Sequence, residues 1–302
     1  MALEYVHAIA PAKINLALHV GGPRADGFHP LDTVFEAIDL FDDVIATPGQ
    51  APGALTLEIH GLGEDLPTDE SNLAIKAGRI LQDRFDARDR SAHISITKKI
   101  PVAGGMAGGS ADAAGTLVAL NELWELGASK EVLLSLAGEL GSDVPFALMG
   151  SVAHGTQRGE VLEPIVPGTM HGVVITTNPR GLSTPAVFAE FDRLFPNADQ
   201  PASTRKVREA VEGVDLAQLG ALLANDLEIP AFSLRPDLAD VFRRSDEAGH
   251  GVVLCGSGPS IAVLCDVSDA AELARDAQRA FPDLHIVTAY GPAAGAHVVK
   301  SY

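Results

Sequence analysis

Residues 101–115, Pro-Val-Ala-Gly-Gly-Met-Ala-Gly-Gly-Ser-Ala-Asp-Ala-Ala-Gly, form a glycine-rich loop that runs straight into a helix-forming stretch. No other segment restricts the fold as tightly. Gly104, Gly105, Gly108 and Gly109 carry no Cβ, so successive backbone N–H groups can converge on one anion. Downstream, Ala113, Leu117, Leu120 and Trp124 recur at helical spacing, which places the loop at a helix N-terminus, where unpaired N–H groups and the dipole favour negative charge. Ser110 is the expected N-cap, its hydroxyl open to phosphate or to a phosphate-bound metal. Residues 94–97 alternate like a strand before the loop, and Lys98 and Lys99 stand at its entrance. The loop has neither a Gly-Lys-Ser/Thr ending nor Gly-x-Gly-x-x-Gly spacing after a clean first strand, so the two commonest nucleotide loops do not describe it. By itself a glycine cluster also suits a mobile turn or a tight helix-to-strand contact.

A chain of 302 residues, 46% hydrophobic, can bury a full core and has the length of two domains or one large one. No stretch reaches the roughly 20 apolar residues of a membrane helix, and Glu4, His7 and Lys13 interrupt any signal-type run, so a cytoplasmic location is expected. The two cysteines, Cys255 and Cys265, lack metal-ligand spacing and read as buried reduced thiols. A formal net charge of −18 repels nucleic acid and anionic membranes. Any basic cluster is then informative, because an anionic small molecule needs one; Lys13, Arg24, Lys98, Lys99 and Arg158 are the candidates.

Patterning gives strands at 5–10, 14–20, 34–40, 44–47 and 55–60, a helix at 73–85 behind the capping cluster Asp69-Glu70-Ser71-Asn72, and a strand at 92–97 before the loop. The loop helix extends to about Glu125, and a third helix, 130–140, ends at Gly141. Pro145 is expected to block helix continuation into the apolar run 146–149, leaving Asp143 at a junction. Two prolines in 161–167 place a loose boundary near Gly168, between domains 1–167 and 168–302. Beyond it come a strand at 172–177, a helix from Thr184, strands 251–254 and 260–265, a helix 269–281 and a strand 285–290, an α+β arrangement. The polar, proline-bearing stretch 196–204 reads as a flexible surface loop.

Lys13 and Asn15, two apart in a strand, share a face, with Ile14, Leu16 and Leu18 on the inward parity. Residues 24–30, Arg-Ala-Asp-Gly-Phe-His-Pro, carry turn chemistry in Asp26-Gly27 and Pro30. Phe28 beside His29 suits ordinary loop packing and equally a nucleobase, whose stacking is worth roughly 1–3 kcal/mol. Residues 256–260, Gly-Ser-Gly-Pro-Ser, serve a tight hairpin or a second phosphate loop. Ser183-Thr184-Pro185 and Phe188 make a helix start.

Together these segments resemble the superfamily of galactokinase, homoserine kinase, mevalonate kinase and phosphomevalonate kinase (GHMP kinases). Residues 101–115 match its second motif and 254–260 its third. Pro11-Ala-Lys-Ile-Asn-Leu, Arg24-Ala-Asp-Gly-Phe-His and Gly141-Ser-Asp-Val-Pro are similar to the branch that phosphorylates the C2 hydroxyl of a cytidine diphosphate-bearing methylerythritol in non-mevalonate isoprenoid synthesis. The resemblance implies a two-domain fold, with an N-terminal domain like ribosomal protein S5 domain 2, a ferredoxin-like C-terminal domain, and ATP, Mg²⁺ and substrate meeting between them. It implies Lys13 and Asp143 as the catalytic pair. Asn15, Phe28, His29, Thr184 and Phe188 match substrate-binding positions, with cytosine between Phe28 and Phe188 and His29 at its edge. Asn72 and Lys98 match positions near adenosine, and Pro101, Gly104, Gly105, Gly108, Gly109 and Ser110 the phosphate loop. A small-molecule substrate, no nucleic acid, no membrane, no protein metal site, and a monomer or weak homodimer are the expectations.

Met106, Ala107 and Ala111 replace the Leu, the first of three Gly and the second Ser of the usual loop, and Phe28 replaces a common Tyr. The cradle is expected to survive if Ala107 keeps φ below zero. Other acceptors of the superfamily, a non-catalytic nucleotide sensor and an RNA-binding module are the rival readings. The last conflicts with the charge.

Overall fold

The computed structural model describes residues 3–25 and 27–302, so Asp26 of the expected turn lies outside the described residues. The first half runs β1 (Val6–Val20), β2 (Leu31–Pro48), β3 (Leu55–Gly61), α1 (Leu73–Arg84), β4 (Ala92–Lys98), α2 (Gly108–Leu123), α3 (Lys130–Leu140), α4 (Val144–Met149), β5 (Val152–Gln157) and β6 (Val161–Ile165). The second runs β7 (His171–Thr177), α5 (Thr184–Leu194), α6 (Arg205–Val211), α7 (Leu216–Gly220), β8 (Ala224–Asn225), α8 (Glu228–Leu234), α9 (Pro236–Ser245), β9 (Gly251–Leu254), β10 (Ile261–Cys265), α10 (Ala270–Ala280), β11 (His285–Gly291) and β12 (His297–Ser301).

An eight-stranded sheet in the order β12-β1-β2-β4-β3, with β5, β6 and β8 branching from it, forms the first layer. Helix α2 packs on it beside α1. Ala111, Ala113, Ala114, Leu117, Ala119 and Leu120 are all fully buried, because α2 is covered on every side, as a helix apolar all round must be. The small residues let β1 and β2 approach closely. Asn72 caps α1 by accepting from the Ala74 N–H at 2.9 Å, and Ser129 caps α3. Such caps contribute about 1 kcal/mol each.

The second sheet, β11-β7-β10-β9, is antiparallel throughout. Counted along the chain as first to fourth, its strands lie in the order 4-1-3-2 with helices between, the split βαβ of ferredoxin-like folds. The two layers are joined by main chain: Ala293 N donates to Ala37 O at 2.8 Å, and Ser151 N to Ala293 O at 2.7 Å. Strands β8 and β12, both from beyond Gly168, return to pair with β1.

Several expectations change. Residues 5–10 and 14–20 are one strand, as are 34–40 and 44–47, because irregularities in the ladder bend the strands without ending them. At the Pro11/Ala12 step the partner moves from Phe41 to Ile38, so Pro11, with no N–H to give, sits where pairing is interrupted. Between Asn15 and Ala17 the partner advances only from Phe35 to Val34, leaving Leu16 as the extra residue. A bulge of this kind flips the face of everything after it. Leu18 therefore leaves the inward parity of Ile14 and turns to the face of Lys13 and Asn15. Pro145 does not block a helix. It opens α4 from the first turn, where its missing N–H costs nothing. The stretch 196–204 is fastened, with Gly22 N donating to Asp199 O at 2.8 Å and Thr204 bonded to Asp32.

Candidate active site

The end of β4, the glycine loop, β1, the turn after β9 and the start of α5 enclose one cavity of about 840 Å³. Gly105 has φ +79°, and a Cβ there would overlap the carbonyl oxygen of Cys255. The glycine loop thus lies directly against the turn 255–258, and only glycine fits between. Met106 is buried as the loop's anchor, and its carbonyl accepts from the Lys13 N–H at 3.2 Å, which ties β1 to the same point. Gly109 differs: a Cβ there would meet nothing within 4 Å, so its bareness faces open space beside the first turn of α2.

Ala107 is the N-cap residue of α2, at φ +58°. The condition that it keep φ below zero is not met, and Ser110 is a residue of the first helical turn rather than the cap. The left-handed conformation costs a non-glycine residue roughly 1–2 kcal/mol, which surrounding packing must offset. The cradle persists because Gly105 and Met106 hold the chain ahead of that position, and Ala107 O accepts from the Ser110 and Ala111 N–H groups, each at 3.0 Å, behind it.

Lys13 and Asn15, only 7% and 1% exposed, sit on the cavity wall. Lys13 Nζ donates to Asn15 Oδ1 at 2.8 Å, Asn15 Nδ2 to Thr33 Oγ1 at 2.9 Å, and Thr33 to Ala17 O at 2.6 Å. The ammonium also lies 5.5 Å from the Phe35 ring centroid. One of its three donors is fixed by this relay, so the head is held in place with donors left for a ligand. Asp143, at the N-cap position of α4 without a capping bond, lines the same cavity. Among the described residues no ion pair joins it to Lys13: the ammonium is held by Asn15, and the carboxylate is uncommitted.

Lys98 is not a free cation. Its Nζ lies 2.6 Å from Asp42 Oδ2, 2.6 Å from Asp112 Oδ2 and 3.4 Å from Gly108 O. Asp42 Oδ1 accepts from the N–H groups of Lys99 and Ile100 at 2.6 and 2.8 Å, fixing the approach to the loop. Two buried carboxylates thus share one ammonium. Burial, and then the Asp42 charge, push the Asp112 carboxyl up to about 7 against the opposing pull of Lys98. The two aspartates raise the Lys98 pKa despite the opposing effect of burial, which is the larger single cause.

At the other end, Phe28 is 49% exposed with the Arg158 guanidinium 5.0 Å from its ring centroid. The His29 ring lies 4.9 Å from Phe188, tilted by 37°, and its Nε2 is 2.8 Å from Asp192 Oδ1. Thr184 Oγ1 meets Ser257 Oγ at 2.7 Å, linking α5 to the turn after β9. Cys255 is fully buried with its thiol pushed up to about 12 by burial, so it is no nucleophile.

Of the residues expected from sequence, Lys13, Asn15, Phe28, His29, Lys98, Pro101, Gly104, Gly105, Gly108, Gly109, Asp143, Thr184 and Phe188 line this cavity. Ser110 and Asn72 do not; Asn72 is occupied by its helix cap and by Pro67 O at 2.7 Å. Sequence reading missed Phe35, Ser142 and Asp192 on the wall. For Asp192 a signal existed: Thr184, Phe188 and Asp192 are spaced four apart, one stripe of α5.

The family model for the GHMP kinases N terminal domain matches residues 72–151, and that for the GHMP kinases C terminal matches 207–283. The chain belongs to the GHMP kinases. A protein of Thermobifida fusca named 4-diphosphocytidyl-2-C-methyl-D-erythritol kinase is 47% identical over 96% of both chains, and one of the same name from Streptomyces coelicolor is 44% identical over 96% of this chain and 97% of its own. Within the GHMP kinases, the chain belongs to the family of these kinases. A crystal structure of 4-(cytidine 5'-diphospho)-2C-methyl-D-erythritol kinase superposes with a TM-score of 0.75 at 30% identity, covering 94% of this chain and 99% of that one. A homoserine kinase from Cytophaga hutchinsonii, 18% identical, has a TM-score of 0.77 over 98% of each chain and shares the fold. No helix among the described residues is long and apolar enough to cross a membrane.

Proposed function

We infer that the chain is an ATP-dependent kinase that transfers the γ-phosphoryl group to the C2 hydroxyl of 4-diphosphocytidyl-2-C-methyl-D-erythritol, a step of isoprenoid precursor synthesis. The observation that carries the reading is that the glycine loop, Lys13, Asp143 and the Phe28–His29–Phe188 wall all border one cavity, about 840 Å³ in volume. A nucleotide triphosphate at the amides of 104–109 and a cytidine at the aromatic wall leave the acceptor alcohol between them, beside Lys13 and Asp143.

Phosphoryl transfer asks little covalent chemistry of a protein and much placement. Lys13 neutralises charge on the transferring phosphoryl oxygens, its position set by Asn15. Asp143 orients the acceptor hydroxyl and takes its proton late in transfer. The uncommitted state of its carboxylate supports this role. Among the described residues no group of three or more His, Cys, Asp or Glu forms a metal cage. Mg²⁺ would be carried by the triphosphate oxygens, with the Asp143 carboxylate available on the wall as a hard donor, and would supply charge neutralisation there.

The test is a coupled ADP-release assay with the cytidine-bearing acceptor, homoserine and mevalonate in parallel. Turnover is expected with the first alone, and Asp143→Asn lowers it on the order of 100-fold or more. Wild-type turnover in Asp143→Asn, or ADP release with homoserine or mevalonate instead, would falsify the assignment.

A further inference from the structure

His29 is held on three sides. Phe188 lies 4.9 Å from its ring centroid, Phe191 stands edge-on at 6.0 Å, and Asp192 Oδ1 is 2.8 Å from Nε2. The residue is 9% exposed, and what is exposed borders the cavity. Its other nitrogen, Nδ1, has no partner among the described residues. Asp192 reaches His29 because Thr184, Phe188 and Asp192 stand on one stripe of α5, while Val187 and Phe191 on the adjoining stripe are buried in the core and fix the helix.

A carboxylate accepts and never donates when ionised, so the hydrogen between Nε2 and Asp192 belongs to the imidazole. In the neutral ring Nδ1 is then a bare acceptor. Resting on the cytidine reading above, we propose that Asp192 is a specificity-determining positioning residue. It fixes His29 in the tautomer whose Nδ1 accepts from the exocyclic amino group of cytosine and is repelled by the carbonyl oxygen that uracil places there. Stacking on Phe28 and Phe188 treats the two pyrimidines alike, since each has a π face. Discrimination needs a polar group of fixed sense, and a site built to bond one group rejects the analogue that leaves it unpaired. The side chain of Asp192 acts through His29, not on the base.

The experiment is competition by CMP and by UMP against the acceptor, in wild type, Asp192→Leu and Asp192→Asn, together with ¹⁵N NMR of the His29 ring in the wild-type protein. Wild type is expected to prefer CMP by about tenfold or more. The ratio collapses toward one in Asp192→Leu and is largely restored in Asp192→Asn, whose amide oxygen accepts at the same reach. The Nδ1 resonance of wild type is expected at the unprotonated position. A protonated Nδ1 in neutral wild-type His29, or an undiminished CMP preference in Asp192→Leu, overturns the proposal and leaves the cytidine reading intact. Failure of both nucleotides to compete overturns the cytidine reading itself, and the proposal with it.

Discussion

At the glycine end of the cavity the wall is main chain: amides of 104–109 pressed against the turn at 255–258, with a buried Asp–Lys–Asp cluster beneath. At the aromatic end the wall is side chains, Phe28 half out in solvent, His29 beside it in the same turn, and Phe188 and Asp192 along one helix. A phosphate chain is the same in every nucleotide and is bound well by rigid N–H groups, which cannot be altered without moving backbone. A base must be distinguished from other bases, which needs side chains of particular shape and polarity. Substitutions at the first end should therefore register in the fold or in the KM for ATP, and at the second in the acceptor's KM.

The largest effect is expected at Gly105. A methyl group there overlaps the Cys255 carbonyl at a backbone angle of φ +79°, so Gly105→Ala should destabilise by roughly 3 kcal/mol or more, seen as a lowered urea midpoint. Gly109→Ala is the control within the same loop. Its Cβ meets nothing within 4 Å, so stability should hold or rise by about 0.5 kcal/mol. The methyl group fills the cradle, and the KM for ATP should rise about tenfold or more, with the acceptor's KM unchanged. Equal stability losses in the two variants would show that the cradle is ordinary packing.

Phe188→Ala should act at the other end alone. Loss of one stacking face, worth roughly 1–3 kcal/mol, raises the acceptor's KM about tenfold or more and leaves the KM for ATP where it was. A parallel rise in both would mean that the two ends are one mechanical unit and that the contrast drawn above is wrong.

Much of this division was legible in the sequence because it is local. The cap at Asn72, the helix at Lys130–Leu140 and the glycine loop each announce themselves within a few residues. What stayed hidden depends on partners distant along the chain. The bulge at Leu16, which turns Leu18 into the cavity, exists only in register with β2. Strand β12 belongs to a sheet begun almost three hundred residues earlier. Ala107 in a left-handed conformation is invisible to any rule that assigns such angles to glycine. Lys98 reads as a free cation at the loop entrance until Asp42 and Asp112 are brought to it from another strand and helix.

The smallest expected effect concerns that cluster. The Asp112 carboxyl is held at about 7, above the usual range for an aspartate, because burial and Asp42 together outweigh Lys98. Between the unfolded value and about 7 the native protein holds a proton that the unfolded chain releases. The resulting stability is present at low pH and lost as pH rises toward neutrality. One proton sets a ceiling near 1.4 kcal/mol per pH unit. Asp112→Asn, which cannot ionise and keeps an oxygen for Lys98, should therefore gain on wild type by about 1 kcal/mol between pH 5 and 6, measured from urea midpoints at each pH. A constant difference between the two proteins across that interval would mean that Lys98 holds both aspartates ionised. The ammonium would then be shared between two charges, and the floor of the glycine end would carry a net negative charge directly below the bound phosphates.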